Sequence, residues 1–229
     1  MTETYITPDL FAFLRELKEN NDRDWFAANK DRYETQVRQS LLRFITDFGL
    51  RLAEISPHYI ADARPVGGSL FRIYRDIRFS KDKTPYKTAA GIQFRHESAT
   101  RDVHAPGFYL HLEPCNCFAG VGMWRPDSAT LARIRDAIVA DPARWEAALS
   151  DEAFQPAYRL GGESLKRPPR GYDPDHPFIE DMKRKEFVAS TPLSETEVFA
   201  PKFIDRYAEI CRQATPFMKF LTGAIGLPF

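Results

Sequence analysis

A dense group of basic side chains lies between residues 72 and 94. The first sixteen positions of this stretch hold Arg72, Arg75, Arg78, Lys81, Lys83 and Lys87, offset only by Asp76 and Asp82. Six cations this close repel one another, so a folded protein must solvate them, pair them with acids or present them to an anion. We call residues 72–87 the basic segment. It predicts a site for phosphate or carboxylate, and a solvated, salt-bridged turn is the alternative.

The basic segment offers two ways of holding an anion. Arg75 and Arg78 could each bind it through two parallel hydrogen bonds, whereas the lysines around Thr84-Pro85 would act as mobile point charges. The glycines of a phosphate-binding P-loop, G-x-x-x-x-G-K-[ST], are absent. The sequence therefore predicts anion binding without a nucleotide-binding motif.

Further polar side chains are expected on one face of a β-sheet. In the predicted strand 108–113, alternation places Tyr109, His111 and Glu113 opposite the apolar positions. Predicted strands at 70–74 and 90–95 add Arg72, Tyr74 and Gln93 to this face, and glycines at 120 and 122 would leave a floor without side chains. The alternative is the solvated side of a half-buried antiparallel sheet.

These observations predict one ligand site, with Trp124 placed to stack on the bound molecule. Its predicted members are Arg72, Arg75, Arg78, Lys81, Lys87, Gln93, Tyr109, His111 and Trp124. His111 is the candidate catalytic residue, with Glu113 as its partner, although a lone histidine on a sheet is more often structural. No catalytic or dinucleotide-binding motif is present, and we expect no cofactor.

The cysteines do not predict a metal site. Cys115 and Cys117 form a C-N-C pair without a second pair or a nearby histidine spacing, so reduced thiols are the better interpretation. The N-terminal sequence lacks the basic head and apolar run of a secretory signal, and no apolar stretch approaches about 18 residues. We therefore expect a cytoplasmic protein that does not contact a membrane.

Two other functions use the same cations. They could bind successive phosphates of a nucleic acid, with aromatic rings stacking on bases, or they could meet an acidic protein partner. The formal net charge of zero argues against a protein that coats nucleic acid. A small anionic ligand is the first hypothesis, and the sequence predicts neither its identity nor an oligomeric state.

The elements that must position the site follow from hydrophobic periodicity. Thr7-Pro8-Asp9 begins a helix, apolar positions from 33 to 55 define one face of a long helix, and Ser194 with Glu197 forms a capping box before the closing helices. Between them lie short strands at 70–74, 90–95, 108–113, 117–123 and 186–191. This order predicts one α+β domain over residues 1–229, with a mainly antiparallel sheet packed on one face by N- and C-terminal helices.

Several motifs resemble those of an uncharacterised family, domain of unknown function 2461. They are FLRELKENNDRDWFAANKDRY (13–33), RDIRFSKDKTPYKT (75–88), GFYLHLEP (107–114), GVGMWRP (120–126) and LKRPPRGYDPDHP (165–177). They occur in the family's order and cover nearly the whole chain. The resemblance implies a soluble, mostly bacterial α+β protein, and it implies no activity or catalytic residue.

Overall fold

The computed structural model describes residues 4–99, 102 and 104–229, in which helices enclose one side of a six-stranded sheet. The helices are α1 (Pro8–Glu19), α2 (Arg23–Ala28), α3 (Lys30–Arg32), α4 (Gln39–Ile55), α5 (Ser128–Ala140), α6 (Pro142–Ser150), α7 (Phe154–Ala157), α8 (Ile179–Met182), α9 (Glu195–Val198), α10 (Phe203–Gln213) and α11 (Thr215–Ala224). A π-helical stretch, Tyr33–Arg38, joins α3 to α4, and a 3-10 turn spans Glu97–Ala99.

The sheet is antiparallel throughout its described pairings. Its strands are β1 (Tyr59–Ile60), β2 (Ala90–His96), β3 (Gly107–Leu112), β4 (Cys117–Met123), β5 (Arg159–Leu160) and β6 (Phe187–Leu193). They lie in the order β1-β2-β3-β4-β6-β5. The long strands β2, β3, β4 and β6 form the centre, and the two-residue strands β1 and β5 form the edges. This arrangement confirms the predicted α+β class.

Alternation along the central strands divides the sheet into two unlike faces. Ile92, Phe94, Phe108 and Leu110 are fully buried on the face that meets the helices. The ring of Phe94 lies 4.7 Å from Phe48 of α4 and 6.2 Å from Tyr207 of α10, measured between centroids. N-terminal and C-terminal helices thus share one core with this face, as predicted. The opposite face carries the polar side chains.

The predicted helix starts are confirmed in detail. The Thr7 side chain accepts a hydrogen bond from the Leu10 amide at the start of α1, directly before Pro8. Ser194 accepts from the Glu197 amide, and the Glu197 carboxylate accepts in return from the Ser194 amide. These contacts satisfy amide groups that have no partner within the helix.

Two local predictions were wrong. Residues 70–74 do not form a strand, because they change partner within five residues: Leu70 bridges to Ile92 of β2, whereas Tyr74 bridges to Tyr86. Tyr74 accordingly leaves the polar face and packs against Phe26 and Tyr86. The long helix is also not uniform, because its first six residues, Tyr33–Arg38, adopt the wider π geometry.

Candidate functional site

The polar face of the sheet opens into a cleft of about 690 Å³. Strand register forms its floor, since Gln93, Tyr109, Gly120 and Ser190 lie side by side across β2, β3, β4 and β6. Other lining residues come from the basic segment, from Trp124 after β4 and from the loop after β5. Five of the nine predicted site residues line this cleft: Arg72, Lys87, Gln93, Tyr109 and Trp124.

Two glycines leave the cleft floor open, as the sequence predicted. Gly120 pairs with Tyr109 and Ser190, and a Cβ at this position would stay 3.6 Å from the nearest side-chain atoms. Gly122 is more constrained, because its φ is +111° and a Cβ would lie 2.0 Å from the carbonyl oxygen of Phe187 in β6. Only glycine suits that conformation and that close approach.

Phe71, which lines the cleft, lies between two cations. Its ring centroid lies 5.3 Å from the Lys87 ammonium and 5.5 Å from the Arg95 guanidinium, which are cation–π distances. Burial lowers the pKa of Lys87, and the nearby positive charge of Arg72 lowers it further. Within the described part of the chain, neither Lys87 nor Arg72 forms an ion pair. Two like charges therefore line the cleft, although the charge of Arg72 also acts on the Asp76 carboxylate.

A second recess of about 440 Å³ adjoins the cleft and shares Phe71, Lys87 and Tyr109 with it. Arg75 and His111, both predicted site residues, line this recess. Arg75 is already held by the protein, because its guanidinium donates hydrogen bonds to Asp82 and to the hydroxyl and carbonyl oxygens of Thr84. Arg75 therefore supports the loop and contributes less free charge than Arg72 or Lys87.

Three side chains on one face of β3 form a hydrogen-bonded row. The Tyr109 hydroxyl lies 2.9 Å from Nδ1 of His111, and Nε2 of His111 lies 3.4 Å from Oε2 of Glu113. The side-chain amide of Asn116 donates to the same carboxylate oxygen at 2.9 Å, from the turn between β3 and β4. The ring of Phe118 stacks on His111 with 4.7 Å between centroids. We call Tyr109, His111 and Glu113 the β3 row.

The environment shifts the pKa of each member of the β3 row. Burial raises the pKa of Tyr109 to about 12. Burial lowers the pKa of His111, and this effect exceeds the opposing hydrogen bond and charge of Glu113. Burial alone would raise the pKa of Glu113, but hydrogen bonds from Asn116 and His111 lower it overall. At neutral pH the row therefore holds a neutral phenol, a neutral imidazole and a carboxylate.

Arg78 and Lys81 lie away from both openings. Arg78 is exposed, is paired with Asp76 at 2.7 Å and lies over the ring of Phe79, which is 96% exposed. Lys81 is exposed on the same loop and lines neither the cleft nor the recess. The structure thus divides the basic segment: Arg72 and Lys87 reach the cleft, Arg75 reaches the recess, and Arg78 and Lys81 face solvent.

The cleft also contains groups that the sequence reasoning missed. Glu186, just before β6, lines it with a side chain that is 8% exposed and lies 3.5 Å from Arg125. Phe71, Phe118 and Val188 add apolar surface. One sequence feature could have indicated this part of the cleft. Two consecutive glycines, Gly161 and Gly162, begin the loop that approaches Glu186, and glycines allow such a close approach. A Cβ on Gly162 would lie 2.8 Å from the Glu186 carboxylate.

Glu186 and Lys87 lie at opposite corners of the polar face. Lys87 lies three residues before Ala90, the residue of β2 that pairs with the last residue of β3. Glu186 directly precedes Phe187, the residue of β6 that pairs with the last residue of β4. Because β3 and β4 are antiparallel, these two positions are at opposite ends of the sheet. The backbone positions of Lys87 and Glu186 are therefore separated along the cleft, and the Glu186 carboxylate is paired with Arg125.

A second group of basic residues, on the loop after β5 and directly before β6, does not line the cleft. Lys166, Arg167 and Arg170 are exposed on the loop after β5, and none of them lines the cleft or the recess. Lys183, Arg184 and Lys185 lie in ion pairs with Glu180, Asp181 and Glu163. These residues are therefore solvated or paired with acids, and they do not add charge to the cleft.

The described residues contain no group of three or more His, Cys, Asp or Glu side chains that could hold a metal ion. Cys117 and Cys211 are buried free thiols, and Cys115 is an exposed one. Over the same residues, every helix is too short or too polar to cross a bilayer.

The antiparallel sheet, its helical cover and the polar cleft define an α+β protein with a candidate ligand site on the open sheet face. The chain belongs to the conserved hypothetical protein family DUF2461, whose model matches residues 9–220. This match confirms the resemblance over nearly the whole chain. Comparison with curated proteins and with solved structures gave no match.

Proposed function

We propose that the cleft binds a small anionic molecule carrying a phosphate or carboxylate group. The observation that carries the proposal is the placement of Lys87 and Arg72, two mutually repelling cations that line one cleft and form no ion pair within the described residues. Lys87 is half-buried whereas Arg72 is exposed, and half-buried positive charge such as that of Lys87 is costly without a counter-ion. An anion entering this end of the cleft would remove that cost.

The remaining surface of the cleft indicates the rest of the ligand. Phe71 and Phe118 supply aromatic faces, Tyr109 supplies a hydroxyl, and the glycine floor leaves room above the sheet. Glu186 at the far end would accept hydrogen bonds from hydroxyl or amino groups. A ligand that suits both ends carries its anionic group beside Lys87 and a neutral or basic polar group some distance away.

Isothermal titration with inorganic phosphate, a nucleoside monophosphate, a sugar phosphate and citrate tests the anion site. We expect at least one probe to bind the wild-type protein, and Lys87→Met or Arg72→Gln to lower its affinity at least about tenfold, since each removes one charge-assisted contact. The matched controls are Lys202→Met and Arg170→Gln, exposed cations outside the cleft. At 100 times its dissociation constant, a bound probe should add about 2.7 kcal/mol to the free energy of unfolding.

The nucleic-acid alternative gives a different result in the same series. Binding to single-stranded DNA should weaken steeply as salt rises and should depend on Arg170 as much as on Lys87, because successive phosphates would contact cations outside the cleft. Retention on DNA, together with silence across the small anions, would overturn the proposed ligand. Equal affinity of Lys87→Met and wild type for a small anion would overturn the proposed location.

We also propose that the chain works as one domain in the bacterial cytoplasm. Among the described residues, buried side chains from Ile6 to Leu221 belong to one hydrophobic cluster, which supports one domain. Free thiols, one of them the exposed Cys115, suit a reducing compartment. The bacterial setting is what the family resemblance implies.

A further inference from the structure

The β3 row extends along the sheet from the candidate cleft to the turn between β3 and β4. Tyr109 lines both the cleft and the recess, His111 lines the recess, and Glu113 lies behind them next to the turn. The row is built on alternate residues of one strand, so backbone geometry fixes the spacing of its members. The stacked ring of Phe118 holds His111 in place, and the side-chain amide of Asn116 holds Glu113.

The available donors and acceptors determine which atom donates each hydrogen bond in the β3 row. The Glu113 carboxylate can only accept, so Nε2 of His111 carries the proton and donates to it. Nδ1 of the neutral imidazole is then a bare acceptor, and the Tyr109 hydroxyl must donate to it. The lone pairs of the Tyr109 oxygen remain available to a molecule bound where the recess adjoins the cleft, since Tyr109 lines both.

Gly91 of β2 makes this position of the Tyr109 hydroxyl possible. Gly91 pairs with His111, and a Cβ on it would lie 2.6 Å from the Tyr109 oxygen and 3.0 Å from the Phe71 ring. Any other residue would therefore displace the hydroxyl or the ring. The site therefore requires glycine at position 91, next to Tyr109 and Phe71, which line both the cleft and the recess.

We propose that the β3 row is a general acid–base relay, and that the cleft exchanges a proton with an anionic carbonyl compound through the Tyr109 hydroxyl. This inference rests on the proposed anion site and adds a reaction to it. The family assignment and the cleft alone would be equally consistent with simple binding. The β3 row, whose three hydrogen-bonding groups end at the cleft, favours a reaction over simple binding.

The proton transfer balances within the described groups. A C–H bond next to the substrate carbonyl breaks and its proton bonds to the Tyr109 oxygen, while the Tyr109 proton passes to Nδ1 of His111. The products are an enolate and an imidazolium, and the imidazolium is stabilised by the Glu113 carboxylate. Reversal of both transfers returns a proton to the substrate. No oxidant, reductant or further reactant is consumed.

The cations of the cleft suit the charge that this step creates. An enolate spreads negative charge over the carbonyl oxygen, and fixed positive groups lower the barrier most where charge develops. Lys87 lines both openings beside Tyr109, and Arg72 lines the cleft next to it. The anionic group and the enolate oxygen would share these two cations, which explains why the substrate class combines a carbonyl with a carboxylate or phosphate.

The first experiment needs no ligand. Nitrogen-15 NMR of the wild-type protein at neutral pH should show His111 as the neutral tautomer protonated on Nε2. Tyr109→Phe should shift the Nδ1 resonance, because the hydrogen bond to that atom is lost. A neutral His111 protonated on Nδ1 would overturn the relay, since Tyr109 could not then donate to it. This outcome leaves the anion site unaffected.

The second experiment measures the reaction. Pyruvate, acetoacetate and dihydroxyacetone phosphate are first tested for binding by titration, and exchange of their C–H protons in D₂O is then followed by proton NMR. We expect the wild type to accelerate exchange of a bound probe. Tyr109→Phe and His111→Gln should each slow it by about 100- to 10,000-fold while binding persists, as expected for loss of an acid–base group. Lys202→Met should leave the rate unchanged.

The failures of the two proposals are distinguishable. A probe that binds but exchanges no faster than in buffer overturns the relay and leaves the anion site standing. Wild-type exchange rates in Tyr109→Phe also overturn it. If none of the three probes binds while citrate or phosphate does, the substrate class is wrong. If no anion binds at all, the proposed function itself fails.

Discussion

Gly122→Ala tests the backbone geometry that forms the cleft floor. The left-handed φ of +111° is unfavourable for alanine, and the new Cβ would lie 2.0 Å from the carbonyl oxygen of Phe187. That oxygen belongs to backbone and not to a flexible side chain, so strands β4 and β6 would have to separate locally. Gly122 faces Val188 in the register, one pair before the end of this pairing region.

The expected magnitude has two parts. Holding a residue with a side chain in a sparsely populated backbone region costs about 1–3 kcal/mol. Separating the strands would weaken one or two backbone hydrogen bonds, at about 1 kcal/mol each. Gly122→Ala should therefore lower the free energy of unfolding by about 2–5 kcal/mol, measured by equilibrium unfolding in urea.

Gly120→Ala is the matched control, two residues earlier in the same strand. Its Cβ would lie 3.6 Å from Phe118 and Tyr109, an ordinary contact distance, so the change in unfolding free energy should stay below about 1 kcal/mol. The added methyl group occupies the cleft floor and should weaken anion binding in a folded protein. Equal stability of the two variants would refute the proposed backbone geometry of β4.

Two further predictions concern charge and packing. Burial lowers the pKa of His111, so the unfolded chain binds more protons below about pH 6.5 and stability falls as pH decreases. His111→Gln should therefore lose less unfolding free energy than wild type between about pH 7.5 and about pH 5.5 in urea titrations; an identical pH profile would contradict this. The charged groups around His111 in this comparison are Glu113, Lys87, Arg75 and Asp82. Phe94→Ala should cost about 3–5 kcal/mol by the same assay, because its ring is fully buried against Phe48. Phe79→Ala, 96% exposed, should stay within about 0.5 kcal/mol, and similar losses for both would contradict the described core.

Strand periodicity in the sequence was sufficient to find the centre of the sheet. Tyr109 and His111 alternate with fully buried apolar residues in β3, and this alternation alone assigned them to the polar face. Helix capping was equally local, which is why Thr7 and Ser194 were identified correctly. Such features depend on residues a few positions apart.

Features that depend on distant partners could not be predicted in this way. Residues 70–74 have a strand-like composition, yet they pair at single points with two different segments. The π-helical stretch escaped notice because its apolar residues, Tyr33 and Val37, keep a spacing of four that also suits an α-helix. In both cases the outcome is set by tertiary packing and not by local pattern.

The composition of the cleft also depends on distant partners, and the sequence predicted it only in part. Sequence identified Arg72 and Lys87 as candidate anion ligands, but it could not separate them from Arg78 and Lys81, which have the same chemistry and face solvent. It also missed Glu186, because an acidic residue before a strand has no distinguishing pattern. Phe71, whose ring lies between Lys87 and Arg95, is apolar and carries no local sequence signal of that role.

The two outermost strands of the sheet have a consequence for self-association. β1 and β5 contain two residues each, so the margins present few unpaired amide and carbonyl groups to a neighbouring molecule. Part of the outer side of β2 is also occupied, since the amide of Phe71 donates to the carbonyl of Gly91 and that of Gln93 donates to Ser69. The outer sides of β2 and β6 are thus partly covered, which disfavours the addition of a strand from a second molecule at these places.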